Sequence, residues 1–444
     1  MSINAIRGFK DILPDESGIW SGIETTARKV LASFGLREIR VPILERTDVF
    51  TRGIGEHTDI VEKEMYTFSD RNGDSISLRP EATAGIIRAV IEHKLYTASK
   101  VLKLFTIGPM FRHERPQKGR LRQFHQIDAE IIGTDAPLSD AEVIAAPWEV
   151  IKQLGVDDVR VEINSLGCRI CRTTYRKTLD DFLDEVQKDL CPDCQRRSKT
   201  NPLRVFDCKQ EGCRVALKPA PLIRDHLCEA CTRHMEAVSD YLLLSDVPFT
   251  VNPYLVRGLD YYVRTTFEIV SSALGAQGAV AAGGRYDGLL KTIGGPDLPG
   301  VGMAIGLERL ALMVSGRKAA PENIDLFIAA LGKEARRTAL PWINSLRRMG
   351  FEVQTVYEED RGLKSQLKDA DRLGARFVLI IGENEIDSGK LILRNLVSHE
   401  QQEIQIDNNI VDEITLKIKK AKIITPRRNG FHASNKRDTN EINK

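Results

Sequence analysis

A mixed strand-and-helix core, interrupted by an inserted, mainly helical module and followed by a small α/β domain, is the fold class that this 444-residue sequence predicts. Three observations predict it. Strand-like and helix-like segments intermingle over about residues 35–165 and resume after residue 240. Between them the text changes character, and all eight cysteines, Cys168 to Cys231, fall there. After about residue 325, strand and helix alternate as in a parallel α/β unit. These shifts divide the chain into a first core part at 1–166, an insertion at 167–240, a second core part at 241–320, an α/β domain at 325–418 and a tail at 419–444.

Composition sets limits before any motif is read. With 42% hydrophobic residues the chain can bury several cores. Its 64 basic and 62 acidic residues nearly cancel, so the net charge of +2 does not argue for a nucleic-acid partner, and any such surface must be local. The opening MSINAIRGFKDILPDE lacks the apolar stretch of a secretory signal, and no apolar run reaches the roughly 18 residues of a membrane span. A cytoplasmic protein without a membrane partner is expected. Cysteines crowded into one stretch also differ from a disulfide framework spread through a secreted domain.

In chain order, REIRVPIL, SISLRP, VLKLFTIGPMF and FHQIDAEIIG read as strands and GIIRAVIEHKL as a helix. Pro42 lies in the first of these, which marks an edge or interface because proline donates no backbone hydrogen bond. The insertion carries charge-rich helical text such as RKTLDDFLDEVQKDL. Strand text returns in VPFTVNPYLVRGLDYYVRTTFEIV, and the glycine-rich GAVAAGGRYDGLLKTIGG leads to a helix at IGLERLALMV. In the last domain Pro341 is expected to kink its helix or delay its start. From Lys417 onward nine basic residues face two acidic ones, with few apolar anchors, which predicts a disordered basic tail.

Several segments are equipped for chemistry. Arg112, Arg115, Lys118, Arg120 and Arg122 fall within eleven residues on one hairpin, either a phosphate-gripping loop or a solvated charged turn. Gln126, Asp128 and Glu130 follow with the two-residue period that puts them on one face of a strand, as a site or as an exposed sheet face. Glu81, Ala82 and Thr83 stand where strand becomes helix, and Thr83 is equally a helix cap. In LVRGLDYY, Arg257 precedes Tyr261 and Tyr262, an arrangement suited to a small polar ligand or to a core strand with one exposed arginine. GMAIGLERL sets Arg309 in the first turns of a helix, where a triphosphate or plain solvent are both possible neighbours.

Taken together and in this order, over about residues 5–415, these segments resemble the class II aminoacyl-tRNA synthetases and, more narrowly, the histidyl-tRNA synthetase family. FRHERPQKGR with QFHQ is similar to the family's motif 2, GMAIGLERL to motif 3, and VPILERTDVF with Pro42 to motif 1, the dimerisation motif. LVRGLDYY and GGRYDGL resemble segments of the histidyl branch. The resemblance implies an α+β catalytic core, a six- or seven-stranded antiparallel sheet with flanking helices, that ligates L-histidine to tRNA(His) with ATP and Mg²⁺ and works as a homodimer. It further implies roles. Arg112 and Arg257 would stabilise charge at the α-phosphate, and Arg309 would hold the γ-phosphate end. Arg122 would join the ATP site. Glu81, Ala82, Thr83, Gln126, Glu130, Tyr261 and Tyr262 would form the histidine pocket, Glu130 accepting an imidazole N–H. Arg115, Gln117, Lys118 and Arg120 would touch the tRNA acceptor end, and the α/β domain the anticodon.

The cysteines depart from the simplest pattern of that family. By spacing, Cys168–Cys171 and Cys191–Cys194 make one four-cysteine zinc arrangement, with Cys208, Cys213, Cys228 and Cys231 as a second; metal-free thiols are the alternative. Two other functions share such a core, a regulatory paralogue and a tRNA-binding sensor. The first should lack the C-terminal domain and the second the phosphate-gripping arginines, and this sequence retains both.

Overall fold

The structure, a computed structural model, describes residues 3–55, 58–315, 324–358 and 360–424, which form two compact units at 3–315 and 324–424. An eight-stranded sheet organises the first unit. Across it run Arg37–Glu38, Leu102–Phe111, Gln123–Ile132, Gly300–Gly306, Ala279–Arg285, Val263–Val270, Arg160–Ser165 and Phe249–Val251. The six inner strands are antiparallel, as the resemblance implied. Two short edge strands extend the sheet and pair parallel, Arg37 beside Leu104 and Val161 beside Phe249.

Alternation along these strands produces two unlike faces. Ile107, Ile127, Ile305, Ala281, Ile269 and Val161 are directly opposed across the sheet in one apolar row, with helix Pro137–Gln153 packed on the sheet and Pro14–Ser33 packed on that helix. One residue away, Thr106, Asp128, Ala304, Ala282, Glu268 and Glu162 form the adjoining row on the opposite face. In that row Asp128 on one side and Glu268 and Glu162 on the other flank the small pair Ala304 and Ala282.

Not all of the strand text becomes strand. Of VPFTVNPYLVRGLDYYVRTTFEIV, only Phe249–Val251 and Val263–Val270 join the sheet, so Arg257, Tyr261 and Tyr262 stand on an irregular loop. Pro42 lies between Arg37–Glu38 and a separate three-stranded sheet formed by Leu44–Arg46, Ser75–Leu78 and Thr67–Ser69.

In the insertion, helices Arg169–Glu185, Pro192–Thr200 and Glu211–Ala216 surround Tyr175, Leu179, Val205 and Ile223. Its last helix, Glu229–Leu244, runs beyond the expected boundary at residue 240. The cysteines cluster differently from the spacing argument. Cys168 and Cys171 meet Cys228 and Cys231, while Cys191 and Cys194 meet Cys208 and Cys213. The reason is the seventeen-residue helix Arg169–Glu185, which at about 1.5 Å per residue carries the chain roughly 25 Å away between the first two pairs.

The second unit holds a five-stranded sheet ordered Val353–Thr355, Leu326–Ala330, Phe377–Ile381, Lys390–Asn395 and Gln401–Gln405. The first three strands are parallel; the last two add an antiparallel hairpin that the sequence reading lacks. Helix Gly332–Arg348 continues through Pro341. Pro341 is exposed, as is Arg337 four residues before it, so the carbonyl that loses its donor lies on the watered side. The final helix, Ile410–Ile424, takes in the first residues assigned to the tail, and 425–444 lie outside the described residues. Among the described residues no helix is long and apolar enough to cross a membrane.

One buried ion pair locks the first unit. Arg285, with no exposed side-chain surface, pairs with the equally buried Asp140, its Nε donating at 3.1 Å, and also donates to Ser139, the Thr134 carbonyl and Asp287. The His234 Nε2, from the insertion's last helix, lies 3.2 Å from Asp140. Arg285→Met is expected to cost about 3–5 kcal/mol by stranding that carboxylate. Adding Asp140→Asn should recover part of the loss, as read by chemical denaturation of the single and double variants.

Candidate active site

Above the acidic-and-small row lies a cleft of about 1060 Å³. Its floor is open because small residues face the polar ones: Ala304 opposes Asp128 and Gly306 opposes Gln126 in register. Gly302, opposite Glu130, has no room for a side chain, since a Cβ there would lie 1.8 Å from Glu130 Oε2.

One end of the cleft is a buried acidic hole. Glu81 accepts the Thr83 and Ala84 backbone N–H groups at 2.9 and 2.8 Å and so caps helix Thr83–Glu92. Thr83 is therefore not the cap; its hydroxyl donates to Glu130 at 2.6 Å. Tyr286 donates to the other oxygen of Glu130, also at 2.6 Å. Burial raises Glu81 above its ordinary range, and raises Asp128 and Glu130 well above theirs, with the neighbouring carboxylates adding to the effect on those two. Burial likewise keeps the Tyr261 and Tyr286 hydroxyls protonated, as donors. The Tyr261 ring stands 4.6 Å from Tyr262 and 5.9 Å from Tyr286, forming an aromatic wall.

The other end is cationic. Arg112 leaves the end of its strand, donates to the Pro80 carbonyl at 2.8 Å and lies 5.2 Å from the Phe124 ring centroid. Arg309 donates to the Ala279 carbonyl at 2.5 Å and to Gly119 in the hairpin loop at 3.4 Å. Arg257 pairs with Glu268 and stands over Tyr262. Burial pulls Arg112, Arg120 and Arg309 below the usual arginine range, with cationic neighbours adding to it for Arg120 and Arg309. Burial, the largest influence, would do the same to Arg257, but Glu268, Tyr262, Asp207 and Tyr261 together outweigh it and hold that guanidinium higher.

Most of the residues expected from sequence meet here. Arg112, Arg257, Arg309, Glu81, Thr83, Gln126, Tyr261 and Tyr262 all line the cleft. Four do not behave as expected. Arg122 points away, donating to the carbonyls of Glu114 and Arg7 and packing under Gly8, whereas Arg120, assigned to the acceptor end, enters the cleft beside Glu114. Both arginines stand in the irregular return of the hairpin before strand Gln123–Ile132, so the strand's two-residue period does not keep them on one side. Ala82 is wholly buried and is no part of the wall. Glu130 sits a layer beneath it, its oxygens held by Thr83 and Tyr286. Arg115, Gln117 and Lys118 remain exposed at the hairpin tip.

Sequence reasoning passed over Asp128, Tyr286 and Glu268 as site residues, although Asp128 stood in the alternating stripe and Tyr286 in the glycine-rich segment. It also missed the part taken by the insertion. Arg204 donates to the Arg257 carbonyl at 3.2 Å, an approach that Gly258 permits, since a Cβ there would lie 2.8 Å from Arg204 Nη1. Arg172 donates to the Tyr262 carbonyl. Lys209 reaches the cationic end, its pKa lowered by burial and then by Arg120 and Arg309.

Asp128 offers a direct check on this electrostatic picture. Its Oδ2 is buried without a hydrogen-bond partner, and its folded-state pKa is raised. A raised carboxylate favours folding only while protonated, so that contribution is complete below the unfolded pKa and is lost as pH climbs through the folded value. Asp128→Asn should raise the melting temperature at pH 7.5 by roughly 2–4 °C for each kcal/mol regained. The gain should shrink toward pH 5; an equal gain at both would contradict the assignment.

Comparison with known proteins sets this cleft in context. Residues 8–310 match the model of the histidyl-tRNA synthetase family and residues 325–415 that of the anticodon binding domain. The chain is 51% identical over 407 residues to a histidine–tRNA ligase of Trichlorobacter lovleyi, covering 92% of this chain and 97% of that one. It is 53% identical over 406 residues to one from Desulfosudis oleivorans, covering 91% and 96%. The crystal structure of apo S. aureus histidyl-tRNA synthetase superposes with a TM-score of 0.78 at 36% identity, over 93% of this chain and all of that one.

Proposed function

The chain belongs to the histidyl-tRNA synthetase family, and from that premise we propose a division of labour for its cleft. Its reaction is the ATP-dependent ligation of L-histidine to tRNA(His) through histidyl-adenylate. One observation carries the division: a buried acidic hole and a cluster of arginines share one cleft. A zwitterionic amino acid and a triphosphate need such a pair of ends.

Histidine places its α-ammonium among Glu81, Asp128 and Gln126, and its ring against Tyr261, Tyr262 and Tyr286. Glu130 acts from beneath, orienting Thr83 and Tyr286 and offering the remaining lone pairs on that side to an imidazole N–H. The histidine carboxylate oxygen attacks the α-phosphorus in line, the new O–P bond forming as the bond to pyrophosphate breaks. Arg112 and Arg257, from opposite sides, neutralise charge at the α-phosphate, while Arg309 and Arg120 hold the γ-phosphate end. A terminal ribose hydroxyl of the tRNA then attacks the carbonyl and AMP leaves. No protein nucleophile is needed, so catalysis is positioning and charge stabilisation. Glu162, Asp207 and Glu268 supply the hard oxygen donors that suit Mg²⁺, which neutralises phosphate charge when bound.

Arg115, Gln117 and Lys118 reach the acceptor end from the hairpin tip, the second unit binds the anticodon, and the protein works in the cytoplasm among reduced thiols and tRNA. Its homodimer forms through the motif 1 region, where Ile43, Leu44 and Phe68 are 42%, 44% and 47% exposed around Pro42. The cysteine centres of the insertion hold structural zinc. Native mass spectrometry reads both statements at once, with an expected species of twice the 49.7 kDa chain mass plus bound metal; a monomer free of metal contradicts both.

Histidine-dependent ATP–pyrophosphate exchange, run against the other amino acids, tests the activity itself. Arg257→Ala is expected to lower exchange by roughly 10³-fold with the circular dichroism spectrum unchanged. Exchange at the wild-type rate in that variant removes Arg257 from the chemistry.

A further inference from the structure

We propose that the inner four-cysteine centre, Cys191, Cys194, Cys208 and Cys213, is a metal-locked wall of the ATP site that presents Lys209 to the nucleotide's phosphates. The proposal rests on the reading of the cleft as an ATP site, and it gives the insertion a direct part in nucleotide binding.

The centre has the form of a zinc site. Its four sulfurs all lie within 4.8 Å of one another, with Cys191 Sγ and Cys208 Sγ 3.9 Å apart. Zn–S bonds of about 2.3 Å in a tetrahedron put sulfurs about 3.8 Å apart. The Cys191 N–H donates to Cys213 Sγ at 3.1 Å, and Cys191 stands at the N-terminal boundary of helix Pro192–Thr200, whose dipole favours a thiolate. An all-sulfur donor set selects zinc over the magnesium that travels with ATP.

The centre's position, more than its form, assigns the function. Cys191 and Cys208 themselves line the cleft. Lys209 lies between two ligands, in the four-residue link from Cys208 to Cys213, so one bound ion pins both ends of the segment that carries it. On the core side the module is clipped down by Arg197 to Asp59 at 3.1 Å and by Arg204 to the Arg257 carbonyl at 3.2 Å. Lys209 thereby lines the same cleft as Arg120 and Arg309, where a polyphosphate is the ligand that three cations suit. The outer centre, Cys168, Cys171, Cys228 and Cys231, takes no part in the cleft wall. It joins the first helix of the insertion to the last, where the module leaves and rejoins the core.

Phosphate oxygens come to this cleft from ATP and from the tRNA acceptor end, and the test separates them by using pyrophosphate exchange, which needs no tRNA, beside aminoacylation. Lys209→Ala, Lys209→Arg and Cys194→Ser are compared with wild type in the full-length protein. Metal is counted by native mass spectrometry and by the thiolate-to-metal absorption of the cobalt-substituted protein. Lys209→Ala should keep the full metal count and raise KM for ATP in exchange about tenfold, with KM for histidine within twofold; Lys209→Arg should restore most of the ATP term. Cys194→Ser should lose one metal ion per chain and raise KM for ATP at least as far. An unaltered KM for ATP in Lys209→Ala, or a change confined to KM for tRNA, removes Lys209 from the ATP site. Cys194→Ser with undiminished metal, or with lost metal and unaltered KM for ATP, sinks the metal lock. Exchange by the wild-type protein stands apart from these results, and its absence would overturn the activity instead.

Discussion

Arg285 and Asp140 form the contact on which the catalytic unit depends, because it is made where a mistake is most expensive. Both side chains are removed from water entirely, and either one alone would be an uncompensated charge in the interior. The pair fixes the last residue of strand Ala279–Arg285 against helix Pro137–Gln153, and through His234 it fixes the insertion's last helix to the same point. Tyr286 follows directly in the chain, so the anchored arginine also aims the hydroxyl that holds Glu130. Structural lock and ligand pocket are thus consecutive residues.

What the lock protects is a sheet with almost no tolerance in its middle. A Cβ at Gly283 would come within 2.2 Å of the Gly302 carbonyl, and one at Gly300 would enter the Tyr286 ring. These glycines serve close approach, where any side chain would push strands apart or displace Glu130. Apolar packing fixes one face of the same strands, and so the residues at the next positions are forced onto the other, where the acids stand.

How much of this could be read from sequence follows from what is local. The long inner strands, the helix after Glu81 and the arginines Arg112, Arg257 and Arg309 lie in segments whose period or motif is self-contained, and the cleft brings those arginines together. That Arg120 rather than Arg122 lines the cleft is not legible locally, because the direction of a loop residue depends on how the hairpin packs against Arg309 and Gly8, which lie far away in the chain. The cysteines were grouped by sequence distance, whereas helix Arg169–Glu185 sets the pairing in space. Lys390–Asn395 and Gln401–Gln405 escaped notice because a half-exposed hairpin rich in charge and amide groups has little apolar alternation to show. Arg204 and Lys209 carry no motif at all; their importance comes from the insertion folding back over the core.

The electrostatics of the cleft also favour binding of oppositely charged groups at its two ends. Carboxylates at one end are held above their ordinary pKa by burial and by one another, and arginines at the other below theirs by burial, with cationic neighbours adding to it at Arg120 and Arg309. Each end alone is therefore under strain. On the division of labour proposed above, an ammonium at the acids and phosphates at the arginines would relieve both, and the relief at the arginines would be greatest when charge accumulates on the α-phosphorus oxygens during attack. Interactions that strengthen on the way to the transition state raise the rate rather than merely the affinity. A fold that crowds ionisable groups of both signs around one cleft gives up stability for that difference, and the buried Arg285–Asp140 pair, outside the cleft wall, holds the arrangement in place.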